Sequence, residues 1–229
     1  MTNKHQTEDN RWKVTGTDLI RWLGLFAIMA GILYIGIQFI HPSDNITSVN
    51  SSKWVLVACL TIAMSLFSLI GMTGIYTKQV NKTGWLGLIG YVIFSLFWLV
   101  SMIFSFNEAF VLPLLTNDAP EFVEGMLGIF GGTRSEVNLG IFTVLAPIAG
   151  LFYTLGGLLL GIATFRARVL PRWAGSLLSF AAVITLAAAI IPHPFDRLMA
   201  IPMGLAFIWL GYTVWSDPRK APKRTISSH

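Results

Sequence analysis

Residues 19–44 read LIRWLGLFAIMAGILYIGIQFIHPSD, a long apolar run that stops at His41-Pro42. A helix needs about 20 apolar residues to cross a hydrocarbon core about 30 Å thick, because a backbone in lipid must satisfy its own hydrogen bonds. This run is long enough. It therefore predicts a membrane-spanning helix that begins the fold.

Five further apolar segments follow, and together they predict an all-α, polytopic membrane bundle of six transmembrane helices arranged as three hairpins. The predicted spans are Leu19–Ile40, Trp54–Tyr76, Trp85–Phe106, Leu139–Phe165, Trp173–Ile191 and Leu198–Trp215. The last two are short and nearly adjacent, so a re-entrant pair is the alternative interpretation of them. The predicted organisation is a cytoplasmic N-terminal segment (1–18), a transmembrane domain (19–216) and a basic cytoplasmic tail (217–229).

The composition of the chain excludes several classes of protein. Of 229 residues, 54% are apolar and only 12% are charged, which disfavours a water-soluble fold. A single cysteine, Cys59, disfavours a disulfide scaffold or a cysteine-based zinc module. The net charge of +5 does not indicate nucleic-acid binding, because the basic residues collect in short loops beside apolar spans.

The positions of the basic residues predict the orientation in the membrane. Of the 16 Lys and Arg residues, all but Lys53, Arg134 and Arg197 lie on the side of the two termini. Because cytoplasmic loops carry the excess of Lys and Arg, both termini are predicted to be cytoplasmic. The basic inner face would meet anionic lipid headgroups.

Two short motifs repeat along the chain. Each outward-going span begins with Trp-x-Gly, at Trp22–Gly24, Trp85–Gly87 and Trp173–Gly175. The first and fifth spans end in His-Pro-x-Asp, at His41–Asp44 and His193–Asp196. The repeat predicts two imidazoles and two carboxylates at equivalent heights on the outer face.

The chain is predicted to turn at the two His-Pro-x-Asp motifs, which we call corners, and they define the candidate functional site. Its predicted members are His41, Asp44, Glu108, His193 and Asp196, with Glu124 from the outer loop as a sixth. Imidazole and carboxylate groups suit a divalent metal, for which the candidate ligands are His41, His193, Glu108 and Asp196, and they also suit acid–base chemistry. The alternative is structural, with histidines at the membrane edge and aspartates capping helices. No other cofactor is indicated.

The outer connection, residues 107–138, is the one long loop. Asp118, Pro120 and Glu121 resemble a capping box before an apolar stretch, which predicts a short helix on the outer bilayer surface or in the mouth of the bundle.

Three functions are compatible with these residues. The span cores contain no Lys, Arg, Asp, Glu or His, which disfavours a proton or ion relay within the membrane. The leading hypothesis is a non-enzymatic membrane component that binds a protein partner, a second copy of the chain or an apolar or amphipathic small ligand. The alternatives are an outer-leaflet enzyme that uses the His/Asp/Glu cluster, and a carrier for a neutral solute with a cavity lined by Gln38 and Tyr153.

Several stretches resemble small hypothetical membrane proteins of bacteria, a six-span family to which no activity is assigned. The resemblance covers most of the chain and includes TIAMSLFSLIGMTGIYTKQ (61–79), EAFVLPLL (108–115), FVEGMLGIFGG (122–132), GLLLGIATFRARVLPRWAGSLL (157–178) and PHPFDRL (192–198). It implies a location in the bacterial cytoplasmic membrane.

Overall fold

The computed structural model describes residues 15–129, 135–191 and 195–216, with the backbone alone for 188–190 and 195–196. The described part is helical and contains no strand, so the all-α prediction is confirmed. The helices are α1 (Gly16–Ile40), α2 (Ile46–Val49), α3 (Ser52–Phe110), α4 (Leu112–Leu115), α5 (Pro120–Gly128), α6 (Phe142–Ala167), α7 (Arg172–Ile184) and α8 (Ile201–Ser216), and two 3-10 segments cover Thr185–Ile190 and Phe195–Ala200.

Four of the described segments are long and apolar enough to cross a bilayer, namely α1, α3, α6 and the stretch Arg197–Ser216. Helix α7 is shorter, because the α-helix ends at Ile184 and the chain continues in a 3-10 conformation. Such segments are common where helices end, and Pro192 and Pro194 lack the N–H needed to extend the helix. The fifth apolar segment predicted to Ile191 is therefore α-helical only in its first part.

Helix α3 is two antiparallel arms joined at Gly84. Gly84 has φ 58° and ψ −158°, a conformation that glycine adopts because it has no Cβ. Side chains far apart in sequence meet across the two arms. Ser65 Oγ lies 3.1 Å from Ser101 Oγ, and Thr73 Oγ1 lies 3.0 Å from Tyr91 OH. The arms, residues 52–83 and 85–110, therefore fold back on each other as a helical hairpin.

Each helix of the bundle packs against its neighbour in the chain, and the last helix packs against the first. At one end Arg21 Nε donates to the Trp215 carbonyl oxygen across 2.9 Å, which joins α1 to α8. Ser179 Oγ donates to the Leu158 carbonyl oxygen across 3.1 Å, which joins α7 to α6. The second arm of α3 packs on α6, and the first arm packs on α1. The described helices therefore form one closed bundle.

Glycines let these helices approach closely. A Cβ added at Gly24 would lie 2.8 Å from the Gly211 carbonyl oxygen, and one added at Gly175 would lie 2.8 Å from the Gly161 carbonyl oxygen. Small residues at contacts allow backbones to come together in membrane bundles. Two of the three repeated Trp-x-Gly motifs therefore place their glycine against a glycine of a neighbouring helix.

The end of the bundle that holds His41 and Glu108, opposite Gly16 and Ser216, carries its own apolar cluster. It comprises Val49, Trp54, Phe104, Leu112, Val123, Met126, Leu139 and Ala146. The predicted short helix in the outer loop is present as α5, but the predicted cap is wrong, because Ala119 and not Asp118 is the N-cap residue, and no side chain accepts a capping hydrogen bond there. The residue before a proline avoids the α conformation, so the helix starts at Pro120.

Candidate functional site

The first His-Pro-x-Asp corner is formed where α1 ends. The His41 backbone N–H still donates to the Ile37 carbonyl oxygen across 3.0 Å, but Pro42 has no N–H to continue the ladder. His41 Nδ1 lies 2.7 Å from the Pro42 carbonyl oxygen. Because a carbonyl oxygen only accepts, Nδ1 is assigned as the protonated ring nitrogen.

An ion pair connects this corner to the segment before α8. Arg197 Nη2 donates to Asp44 Oδ2 across 3.2 Å, and Asp44 Oδ1 lies 3.9 Å from His41 Nδ1. The Arg197 side chain is largely buried, whereas that of Asp44 is half-exposed. The pair therefore joins the connection after α1 to the 3-10 segment Phe195–Ala200.

Glu108 reaches the same corner from the end of α3. Trp54 Nε1 donates to the Glu108 carbonyl oxygen across 2.9 Å, and the Trp54 ring packs edge-on against the His41 ring, with 5.9 Å between centroids. Glu108 lies two residues beyond the apolar segment 85–106. Burial raises the pKa of its carboxyl group to about 7, and the negative charge of Asp44 contributes to the shift.

The structure brings together three of the six predicted site residues: His41, Asp44 and Glu108. Glu124 is exposed on α5 and, in the described ranges, makes no hydrogen bond or ion pair with them. His193 and the Asp196 side chain lie outside the described residues. Within the described part of the chain, no three His, Cys, Asp or Glu side chains are grouped to hold a metal ion. The metal hypothesis thus stays a prediction.

Two members of the corner were not predicted from the sequence, Arg197 and Trp54. Arg197 directly follows the second His-Pro-x-Asp motif, and it is one of only three basic residues assigned to an otherwise acidic face. A basic residue on a face that is mostly acidic favours an ion pair. Trp54 gave no such signal, because a tryptophan at the start of a span equally predicts an interfacial anchor.

A second set of polar side chains lies inside the bundle, where their hydroxyl groups form hydrogen bonds with one another. Tyr34 OH donates to Tyr153 OH across 3.4 Å, and Tyr153 OH lies 3.1 Å from Thr185 Oγ1. The Gln38 amide donates to the Tyr34 carbonyl oxygen across 3.0 Å. The residues predicted to line a solute path therefore bond to the bundle itself, and the carrier hypothesis stays a prediction.

Comparison of the chain with models of protein families, with characterised proteins and with solved structures finds no match.

The raised pKa of Glu108 predicts how stability depends on pH. The folded protein keeps the Glu108 proton up to about pH 7, whereas the carboxyl group of the unfolded chain releases it near its ordinary value of 4.5. Between these values the unfolded state binds fewer protons, so this group's contribution to stability falls as pH rises and is lost above about pH 7. Unfolding of the detergent-solubilised protein between pH 4 and 8 should show this decrease, and Glu108→Gln should remove it.

Glu124→Gln is the matched control, since it removes an exposed carboxyl group at the same end of the bundle and should leave the decrease in stability in place. The same pH dependence in Glu108→Gln and the unaltered protein would contradict the assignment.

Proposed function

We propose that the protein crosses the membrane six times, with both termini in the cytoplasm of a bacterial cell. In this arrangement the two arms of α3 contain the second and third spans, residues 54–76 and 85–106, and α7 with its 3-10 continuation is the fifth. The turn at Gly84 supports the proposal, because it lies two residues after Lys82 and directly before the exposed Trp85, as expected for a short inner connection. The antiparallel packing of consecutive helices is consistent with it.

The topology can be tested by cysteine labelling in intact cells. Cys59 is first changed to Ser, because it is the single cysteine. A membrane-impermeant maleimide should then label Asp118→Cys, on the outer connection, and should label Lys82→Cys only after the cells are lysed. Both positions are exposed, so access is not limited by burial. Labelling of Lys82→Cys in intact cells would overturn the orientation.

We propose that the protein is a non-enzymatic membrane component that binds a protein partner or an amphipathic ligand through its outer end. The observation that carries this proposal is the second apolar cluster, because it packs Leu112, Val123 and Met126 of the long connection against the ends of the spans and so orders that connection. Ionised side chains lie towards the two ends, while aromatic and hydroxyl groups fill the middle. Such an interior supports a structural role for the spans and leaves the outer surface for recognition.

Charge reversal on α5 tests this function. Glu121 and Glu124 are exposed there, and their spacing of three residues places them on the same face of the helix. A protein or lipid that co-purifies with the chain and is lost in Glu121→Lys/Glu124→Lys would support recognition through α5. The matched control is Glu8→Lys/Asp9→Lys in the N-terminal segment, which makes the same change of net charge. Equal loss in both variants would contradict recognition through the outer end.

The second candidate function is an outer-leaflet enzyme, and Glu108 is the observation that favours it. A half-buried carboxyl group with a pKa of about 7, close enough to Asp44 to be affected by its charge, is suited to general acid–base chemistry near neutral pH, and Asp44 in turn lies 3.9 Å from His41 Nδ1. Turnover of a lipid headgroup that disappears in both Glu108→Gln and His41→Ala would replace the non-enzymatic proposal. Elemental analysis of the purified protein tests the version with a metal.

A further inference from the structure

Three arginines gather at one end of α6 and α7. Arg166, Arg168 and Arg172 are all exposed in the described structure, and no ion pair with a described carboxylate is formed by any of them. Between Glu136 and Asp196 the sequence contains no acidic residue at all. The hairpin formed by α6 and α7 therefore contains no carboxylate that could neutralise the three arginines.

The backbone and the neighbouring side chains hold these arginines in place. Arg168 has φ 55° and ψ 24°, the left-handed conformation that usually favours glycine after a helix. Leu170 is buried two residues later and anchors the connection. The Arg172 guanidinium lies over the Phe165 ring, 4.2 Å from its centroid, which restricts its orientation.

Apolar side chains are exposed beside the arginines. Trp173 is 74% exposed and Val169 is 41% exposed. A tryptophan at the membrane interface lies at the level of the headgroups, where its ring contacts the glycerol and upper acyl chain. The connection thus presents guanidinium groups to a phosphate and apolar groups to a hydrocarbon chain.

The other connection at this end extends the same surface. Gln79 Nε2 donates to Thr164 Oγ1 across 2.8 Å, which ties the end of the first arm of α3 to the end of α6. Lys82 is exposed on that connection and adds a cation to the end of the bundle.

We propose that the connection 166–173 is a binding site for the phosphate headgroup of an anionic phospholipid. Guanidinium groups bind phosphate through paired hydrogen bonds, and three of them meet no competing carboxylate in this hairpin. The proposal rests on the proposed topology, which places this connection at the inner leaflet. A soluble acidic protein would use the arginines but would leave Trp173 and Val169 without an apolar partner.

Native mass spectrometry of the full chain in detergent tests the site by titration with phosphatidylglycerol. Compared with the unaltered protein, the triple variant Arg166→Gln/Arg168→Gln/Arg172→Gln should bind about a hundredfold more weakly, at about fivefold per arginine. The control variant Arg219→Gln/Lys220→Gln/Lys223→Gln removes the same charge from the tail and should bind nearly as well as the unaltered protein. Equal weakening in both triple variants would show diffuse attraction and overturn the site.

Two further measurements complete the test. One distinguishes a phospholipid from a free phosphate, and the other distinguishes a loss of binding from a loss of folding. Glycerol 3-phosphate, which has no acyl chain, should bind at least about tenfold more weakly than phosphatidylglycerol, and equal affinity would overturn the lipid assignment. Arg168→Gly should keep or raise the thermal stability, because glycine suits the left-handed conformation, and should still weaken lipid binding. Unchanged binding in Arg168→Gly and in the triple variant would overturn the proposal. Because this titration is made in detergent, it reports the site independently of the topology experiment.

Discussion

Replacing Gly31 by leucine is expected to lower the free energy of unfolding by about 3 kcal/mol or more, the upper part of the range for overpacking. Gly31 lies where α1 crosses α8. A Cβ at this position would collide with the Gly204 carbonyl oxygen and come within 2.7 Å of Ile208 Cγ1. The carbonyl is backbone and cannot rotate away, so the two helices must separate.

Gly36→Leu is the matched control for this substitution. It lies one and a half turns further along the same helix, and nothing is within 4 Å of an added Cβ. Because leucine favours the helix over glycine by roughly 0.5–1 kcal/mol, the control should be neutral or slightly stabilising. Unfolding in increasing concentrations of sodium dodecyl sulfate, followed by circular dichroism, measures both. Equal effects of the two substitutions would contradict the close crossing of α1 and α8.

Replacing Trp98 by alanine is the second large effect, with an expected loss of about 3–5 kcal/mol. Trp98 is fully buried in the second arm of α3. Its ring packs against those of Phe94 and Phe207, with 5.5 Å and 5.8 Å between centroids, and it meets the Tyr34 ring edge-on. Alanine would leave a cavity among three helices that lie far apart in sequence.

Two other substitutions test whether the loss of stability is specific to the buried ring of Trp98. The indole N–H of Trp98 is buried and has no hydrogen-bond partner among the described residues, so Trp98→Phe keeps an aromatic ring, removes the unpaired donor and should cost much less than alanine. Trp85→Ala, in the same arm, removes a ring that is 79% exposed and should change stability by about 0.5 kcal/mol or less. Loss of stability in Trp85→Ala equal to that in Trp98→Ala would show that Trp98 does not fill the centre of the bundle.

The helical segments of the bundle were largely predictable because each depends on local sequence. The apolar run ending at Ile40 is followed by Pro42, and the observed helix α1 ends where that pattern predicts. The short helix in the outer loop followed from its proline and apolar spacing, although its first residue did not. The 3-10 conformation after Ile184 was not predicted, since the segment has the composition of a helix and only its neighbours distinguish the two.

The candidate site was predictable in part. The repeated motif identified His41 and Asp44, and the position of Glu108 after a span suggested that it belongs with them. The partner of Asp44 was not identified, because Arg197 is 153 residues away along the chain. Pairing at that distance depends on how each helix is rotated about its axis. That rotation is set by side-chain packing, such as that of Trp54 against His41.

The sequence alone determines the helical class, the positions of the apolar segments and the uneven distribution of charge between the ends of those segments. Each of these follows from the transfer free energy of single residues, which adds up along a local stretch. Only the tertiary structure decides which glycine meets which backbone, that Arg197 neutralises Asp44, and that Glu108 is half-buried at their side. Those contacts join distant residues, and their energies exist only after the helices have packed.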